Sequence, residues 1–192
     1  MRSDPTVFIT EANEEPGDAD VLAALAGALA PMAPPPALRA RILDATRAPG
    51  RLHRFADKLA AMLDVTIDKA RELLDRAADA SLWERELVPG MDALWVEGGP
   101  AVAGCIRGFA RLRAGVAFPD HRHLGPETTL VLEGAMLESG GATVRPGETL
   151  VMHEGSEHNY RAAPGGTDLL FFVVVGQGIA FPGGSELLHR DG

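Results

Sequence analysis

The sequence predicts an α+β protein in which an N-terminal helical segment precedes a small antiparallel barrel or sandwich. Up to about residue 80, apolar residues recur at the spacing of amphipathic helices. After Trp83, short apolar or alternating runs of strand length are separated by glycine and proline, which is typical of strands joined by tight turns. A chain of 192 residues that is 46% hydrophobic can bury a core for both parts.

Composition divides the chain into four segments. Residues 1–17 mix acidic residues, proline and glycine with few apolar positions, and we expect a loose tail there. Residues 18–85 are predicted to form the helical domain and residues 86–182 the barrel. Residues 183–192 are polar and are predicted to lie outside the barrel as a second tail.

About four helices fit the helical segment, with breaks at the proline run 34–36, at Pro49-Gly50 and near Val65. In the third helix, one apolar stripe follows the i, i+4, i+7, i+8 spacing: Phe55, Leu59, Met62 and Leu63. The fourth helix has a similar stripe: Ile67, Ala70, Leu74 and Ala77. Thr66 is expected to cap the N-terminus of this fourth helix.

Charge, hydropathy and cysteine content exclude several function classes. The net charge of −9 opposes attraction to phosphate backbones, so we expect no direct contact with nucleic acid. The longest apolar stretch, residues 21–33, is shorter than the about 20 residues of a membrane span and is predicted to be a core helix. The first residues do not resemble a secretory signal, and the lone Cys105 agrees with a reducing compartment, so we expect a cytoplasmic protein.

Three histidines and a glutamate form the candidate site. His121 and His123 are two residues apart in a predicted strand, so their rings project from the same face. Glu127 follows the turn residues Gly125-Pro126, which can return its carboxylate toward those rings. His158 begins a later predicted strand after a glycine-containing turn and is the expected fourth ligand.

This set of donors suits a divalent transition metal. Neutral imidazoles and a carboxylate bind such ions at about 2.0–2.2 Å, and Zn²⁺ accepts four of them tetrahedrally. Zinc is therefore the preferred metal, although iron, manganese and nickel bind the same donors and the sequence does not choose among them. A His-x-His pair alone would be weak evidence, because a surface histidine is usually inert.

The residues around the first histidine pair resemble the first motif of the cupin superfamily. That motif reads Gly, five residues, His-x-His, three or four residues, Glu, six residues, Gly. The sequence matches it at every fixed position between Gly115 and Gly134. The resemblance implies a jelly-roll barrel, also called a double-stranded β-helix, with a metal held by four side chains: His121, His123, Glu127 and His158.

The second cupin motif is matched in part. Gly147, Gly155 and His158 stand at its fixed positions, whereas His153 replaces its proline and Ala162 its asparagine. These departures concern the geometry of turns and leave the predicted ligand in place. The resemblance to the superfamily therefore covers residues from about 90 to 180.

Two further residues are candidates for the pocket. Tyr160 lies two residues after His158 and should share its inward face, where a phenol can bond a metal-bound water or a ligand. A core tyrosine whose hydroxyl is satisfied elsewhere is an equally good interpretation. His153 is placed either at the rim of the pocket or in a solvent-exposed turn. Cys105 is expected to be a small buried hydrophobic residue.

A helical segment followed by one metal-binding cupin resembles the layout of ChrR-type anti-sigma factors. Residues 34–43 (PPPALRARIL) also resemble a linker-helix phrase of anti-sigma proteins. The resemblance implies transcription regulation: the helical domain binds an extracytoplasmic-function sigma factor, and the cupin senses a stress signal or small-molecule ligand. The family's His and Cys zinc motif is missing from the helical segment, since no cysteine precedes Cys105. Its helices must then be held by their own apolar stripes, or by packing on the barrel or on a partner.

An enzyme is the alternative interpretation. Cupins with three histidines and one glutamate also resemble iron-dependent dioxygenases, in which case the helices would support or dimerise the barrel. Catalysis needs open coordination positions, which the sequence does not reveal, so the regulator is preferred and the enzyme is left open. A cupin that binds a metal or a small acid without either activity is the third alternative. The sequence does not distinguish a monomer from a homodimer.

Overall fold

Helices precede strands along the chain, as the sequence predicts. The computed structural model describes residues 25, 27, 28, 33–47 and 50–187. Within them lie three α-helices: α1 (Leu38–Arg47), α2 (Ala56–Leu63) and α3 (Ile67–Arg76). The first of the about four predicted helices, over residues 21–33, lies mostly outside the described residues, and the predicted tail 1–17 lies outside them entirely.

The start of α3 confirms a local prediction. The hydroxyl of Thr66 accepts a hydrogen bond from the backbone N–H of Lys69 at 3.2 Å, which satisfies one of the unpaired donors of the first turn. Asp68 adds a carboxylate to that turn. The C-cap of the preceding helix α2 is Asp64, whose left-handed backbone (φ 54°) turns the chain toward α3.

Strands begin at Glu84, directly after the change in sequence pattern at Trp83. They are β1 (Glu84–Val88), β2 (Met91–Trp95), β3 (Cys105–Leu112), β4 (Ala117–His123), β5 (Glu127–Glu133), β6 (Met136–Glu138), β7 (Thr143–Val144), β8 (Thr149–Met152), β9 (Glu157–Ala162), β10 (Leu169–Gly176), β11 (Ile179–Ala180) and β12 (Glu186–Leu187).

The described strands form two antiparallel sheets. Sheet A has the order β1-β2-β3-β10-β5-β8, and sheet B has the order β12-β11-β4-β9-β6-β7. From β3 onward the chain passes repeatedly from one sheet to the other, which is the jelly-roll arrangement of an antiparallel barrel. The predicted double-sheet barrel is therefore confirmed.

An inner core lies between the two sheets. It contains alternate side chains of the facing strands, because successive residues of a strand point to opposite faces. Sheet A contributes Leu112, Leu169, Phe171 and Val175, and sheet B contributes Phe118, Met136, Tyr160 and Ala162. All of these residues are buried.

An outer core lies between sheet A and the helices. On the helical side it contains Leu59, Leu63, Leu73 and Leu74, and on the sheet side Phe109, Leu130, Leu132, Leu170 and Phe172. Strand β10 is thus buried on both faces, which explains its continuous apolar sequence. Polar contacts accompany this packing, since Arg51 Nη2 lies 3.0 Å from Glu133 Oε2.

The compact units of the chain do not divide where helix gives way to strand. By packing, the described residues divide between positions 44 and 45. The predicted boundary between residues 85 and 86 falls within β1, and α2 and α3 belong to the unit that contains the barrel, because the outer core joins them to sheet A. No helix among the described residues combines the length and hydropathy of a membrane span.

Candidate metal centre

The three predicted histidine ligands meet inside the barrel. His121 and His123 alternate with exposed neighbours on β4, so both rings point inward and are buried. His158 on β9 lies directly opposite His121, because the two residues are partners in the antiparallel register. One ring nitrogen from each of the three side chains lies within 4.8 Å of the other two. The convergence of distant chain segments that the motif spacing predicts is therefore present.

Two of the rings direct unprotonated nitrogens at each other. His121 Nδ1 donates to the backbone oxygen of Pro119 at 2.9 Å, and His158 Nδ1 lies 3.2 Å from Glu138 Oε1. Because both of these oxygens act as acceptors, the protons reside on Nδ1 and each Nε2 keeps its lone pair. The two Nε2 atoms are 3.0 Å apart.

The short distance between the Nε2 atoms fits a shared cation. Two ligands at right angles on an ion with 2.1 Å bonds would stand about 3.0 Å apart, and tetrahedral ligands about 3.4 Å apart. Two facing lone pairs at such a distance repel unless a positive charge lies between them. A proton is a poor candidate near neutral pH, because burial lowers the pKa of His121 to about 4 and also lowers that of His158.

His123 supplies a second indication of a metal. Its ring is completely buried, and neither Nδ1 nor Nε2 has a hydrogen-bond partner among the described residues. Leaving a buried polar group unsatisfied costs about 1–3 kcal/mol, which coordination to a cation would offset. Burial also lowers the pKa of His123 to about 4, so the ring is neutral at pH 7 and able to donate a lone pair. The residues present therefore fit a divalent metal.

Glu127 lies beside the histidine cluster rather than within it. Its Oε2 atom is 3.4 Å from His123 Nδ1, and its Oε1 atom accepts a hydrogen bond from the hydroxyl of Thr129 at 2.8 Å. Burial raises the pKa of the Glu127 carboxyl to about 7, against the opposing effect of the Thr129 hydrogen bond. A nearby cation would favour the ionised form. Its role as the fourth ligand stays a prediction.

A small apolar cavity of about 50 Å³ adjoins the centre. His121, Glu127 and Tyr160 contribute to a wall that is otherwise formed by apolar side chains and glycine. Tyr160 faces inward and stacks on Phe118, with ring centroids 5.0 Å apart. Burial, together with the charge of Glu127, raises the pKa of the Tyr160 phenol well above its usual value. The phenol is therefore a neutral group at physiological pH.

The other sequence candidates lie away from the centre. His153 is exposed in the turn after β8 and does not line the cavity. Cys105 is half-buried at the start of β3, where it packs against the outer core. His53, to which the sequence gave no role, pairs with Asp75 at 3.0 Å near the surface. His189 lies outside the described residues.

Glu138 is a site residue that the sequence motifs did not single out. It ends the short strand β6 and lies opposite Tyr160, which places its carboxylate next to His158. Its side chain is 11% exposed. The available signal was the Gly140-Gly141 turn directly after it, but a turn alone does not show which residue its neighbouring carboxylate contacts.

Comparison with known proteins agrees with this architecture. Residues 84–177 match the family described as the ChrR cupin-like domain. The comparison with curated proteins found no match. Among solved structures, the complex of Rhodobacter sphaeroides SigE with the anti-sigma ChrR matches with 23% identity over 81% of this chain and 74% of that chain, with a TM-score of 0.49.

Other similar structures carry names of different kinds. An acetylacetone dioxygenase from Acinetobacter johnsonii shares 16% identity over 57% of this chain and 78% of its own, with a TM-score of 0.48. KdgF from Halomonas sp. shares 18% identity over 48% of this chain and 85% of its own, with a TM-score of 0.41. Likeness at this level concerns the fold, which hosts many functions.

Proposed function

The chain carries a ChrR-like cupin domain over residues 84–177, and from this premise we propose that it is a metal-binding regulator of the ChrR type. In this proposal the cupin binds one divalent metal and responds to a stress signal or a small ligand. The N-terminal helical segment binds an extracytoplasmic-function sigma factor. Metal binding and partner binding are separate claims and are tested separately.

The metal claim depends chiefly on the pair of Nε2 atoms that face each other at 3.0 Å. His121, His123 and His158 would hold the ion, and Glu127 is proposed to complete the set. A bound divalent ion supplies a positive charge at this buried point. The four side chains would hold the ion in place, and the apolar wall around them would limit access of water. Zinc is the preferred metal because it accepts three imidazoles and a carboxylate in tetrahedral geometry.

Elemental analysis of the purified protein tests the metal claim. We expect about one equivalent of a divalent metal per chain, and anomalous scattering from crystals would locate it at the three histidines. Protein that contains no metal as purified, and that takes up none when zinc, iron, manganese or nickel is added, would contradict the proposal.

The sigma-factor claim is supported by the family of the cupin domain and by the anti-sigma-like phrase at residues 34–43. The test is co-expression of the full chain with extracytoplasmic-function sigma factors from the same genome, followed by affinity purification. We expect one of them to be retained and to be inhibited in transcription assays. Retention of none would contradict this part of the proposal and leave the metal claim standing.

The same proposal includes where the protein acts. A sigma-factor partner implies the cytoplasm, which cell fractionation would test. The net charge of −9 supports a regulator that contacts a protein rather than DNA, so we expect no binding to duplex DNA in the absence of the sigma factor.

A metalloenzyme is the second candidate, because the cavity beside His121 and Glu127 could admit dioxygen next to a bound metal. A space of about 50 Å³ is enough for water or a diatomic molecule but not for a larger organic substrate. An iron-dependent dioxygenase would need this cavity to widen. Oxygen consumption by the iron-loaded protein in the presence of small diketones or acids discriminates the two. Substrate-dependent uptake would favour the enzyme, and firmly held zinc without uptake would favour the regulator.

A further inference from the structure

The carboxylate of Glu138 contacts His158, one of the proposed histidine ligands. Glu138 Oε1 lies 3.2 Å from His158 Nδ1, on the side of the ring opposite the atom that faces His121. We infer that Glu138 is a positioning residue that fixes the Nδ1-protonated form of His158 and thereby sets how tightly the centre holds its metal. This inference rests on the proposed metal site.

Local contacts hold the Glu138 carboxylate in place. Its Oε1 atom also accepts a hydrogen bond from the Ser139 hydroxyl at 3.1 Å, and its Oε2 atom accepts one from the backbone N–H of Gly140 at 2.5 Å. Both oxygens are therefore engaged, and the side chain is mostly buried. A carboxylate restrained in this way restricts the orientation of the imidazole it contacts.

The turn after Glu138 is shaped to permit this arrangement. A Cβ atom added to Gly140 would lie 2.6 Å from Glu138 Oε2, closer than such atoms approach. Gly141 adopts a left-handed backbone (φ 93°) that returns the chain to β7. Glycine at position 140 thus leaves room for the carboxylate where it contacts His158, and a Cβ there would force the end of the Glu138 side chain to shift.

The ring of His158 can carry its proton on either nitrogen, and only one form suits the centre. With the proton on Nδ1, the Nε2 lone pair points toward His121 and is available to a metal. With the proton on Nε2, that lone pair is lost and the N–H is directed at His121 Nε2, 3.0 Å away, with which it would form a hydrogen bond. Glu138 opposes the second form, because a carboxylate oxygen accepts a hydrogen bond and does not donate one when ionised.

The test measures the position of the proton and the metal affinity in the full-length chain. Nitrogen-15 NMR of histidine-labelled, metal-free protein reports the tautomer, and competition with a chromophoric chelator reports the affinity for Zn²⁺. In Glu138→Ala we expect His158 to populate the Nε2-protonated form and the affinity to fall by about 10–100-fold. Glu138→Gln keeps an acceptor oxygen, so the tautomer should persist while the affinity falls less.

Two further variants separate positioning from general damage. Glu157→Gln removes the same charge from the residue next to His158, but its side chain is exposed, so affinity and tautomer should match the wild type. Gly140→Ala keeps Glu138 but displaces it, so it should change both readouts in the direction of Glu138→Ala. If Glu138→Ala does not fold, Glu138→Gln and Gly140→Ala carry the test.

The outcomes separate this inference from the proposed function. Wild-type affinity in the folded Glu138 and Gly140 variants would overturn it, as would a lower Tm with neither tautomer nor affinity changed. A wild-type chain that binds no metal would overturn the proposed function instead. The tautomer of His158 would then still show whether Glu138 orients the ring.

Discussion

His121 and His158 illustrate a contact that is unfavourable without a metal and favourable with one. Their Nε2 atoms are 3.0 Å apart, and both rings are neutral near pH 7 because burial lowers their pKa values. On the proposed function, metal binding would therefore stabilise the fold, because a cation between the two Nε2 atoms would remove their repulsion. A metal at 100 times its Kd adds about 2.7 kcal/mol to the free energy of unfolding.

Replacement of His121 by alanine tests this relation. We expect His121→Ala to bind little metal and to lose the rise in Tm that metal addition produces in the wild type. Its metal-free form should lose less stability than a typical buried truncation, because the repulsion with His158 disappears. Calorimetry with and without zinc measures both effects. His53→Ala, which alters a histidine near the surface, is the control, and equal metal content in the two variants would contradict the assignment.

Glu127 gives the centre a dependence on pH that tests its role as a ligand. Burial raises its pKa to about 7 in the metal-free protein, so below pH 7 a metal must displace a proton from it. We expect zinc affinity to fall about tenfold per pH unit between pH 7 and pH 5, because one proton competes for one site. Protonation of the histidines contributes little to this fall in zinc affinity, since the pKa values of His121 and His123 are lowered to about 4.

The variant Glu127→Gln isolates this effect. It should bind zinc more weakly at pH 8 and show a flatter affinity profile between pH 7 and pH 5. In the metal-free protein, pH affects the free energy of unfolding in the opposite direction from zinc affinity. The protonated carboxyl favours the fold at low pH, and this stabilising contribution is lost as the pH rises through about 7. Titrations at several pH values measure the slope. An unchanged slope in Glu127→Gln would show that Glu127 is not a ligand.

The sequence predicts the ligands better than it predicts their surroundings. His121 and His123 could be placed together because strand alternation is local, and His158 could be identified because a second motif places it three residues after Gly155. The contact between Glu138 and His158 joins residues 20 positions apart through the register of β6 and β9. A register of this kind depends on the whole sheet, so no local pattern indicates it.

The position of strand β10 between two cores explains why its sequence is apolar throughout. Phe171 faces the inner core and Phe172 the outer core, so neither face meets water. The stripes of α2 and α3 predicted buried faces for these helices, and Leu59, Leu63 and Leu74 are indeed buried. The surface that they cover is sheet A, which helical periodicity alone does not identify.

Truncation of Leu63 tests the contribution of the outer core. Leu63 has no exposed surface and packs with sheet-A residues, so Leu63→Ala should lower the free energy of unfolding by about 2–5 kcal/mol. Metal content should stay at the wild-type level, because the centre lies on the other face of the sheet. Chemical denaturation measures the loss. Leu82→Ala makes the same change at a side chain that is 41% exposed and should cost far less. Similar losses in the two variants would contradict the packing argument.

The whole molecule shows a difference between sequence pattern and packing. The pattern changes near residue 84, where strands begin, and the matched family also starts there. Packing divides the chain at residue 44 instead, because α2 and α3 cover the apolar outer face of sheet A. The change of pattern reports secondary structure, whereas a compact unit is defined by shared burial. Composition could not reveal which helices share the core of the barrel.

Two truncated chains test which division governs folding. A chain of residues 45–192 retains the whole outer core, so it should unfold cooperatively and bind one metal with an affinity close to that of the full chain. A chain of residues 84–192 contains the matched cupin segment but exposes Phe109, Leu130 and Phe172 to water. Exposed apolar patches of this kind lead to aggregation. We therefore expect the shorter chain to bind a hydrophobic dye, to associate in analytical ultracentrifugation and to have a lower Tm. A monomeric chain of residues 84–192 with the Tm and metal affinity of residues 45–192 would show that the helices are dispensable and that the boundary near residue 85 separates independent domains.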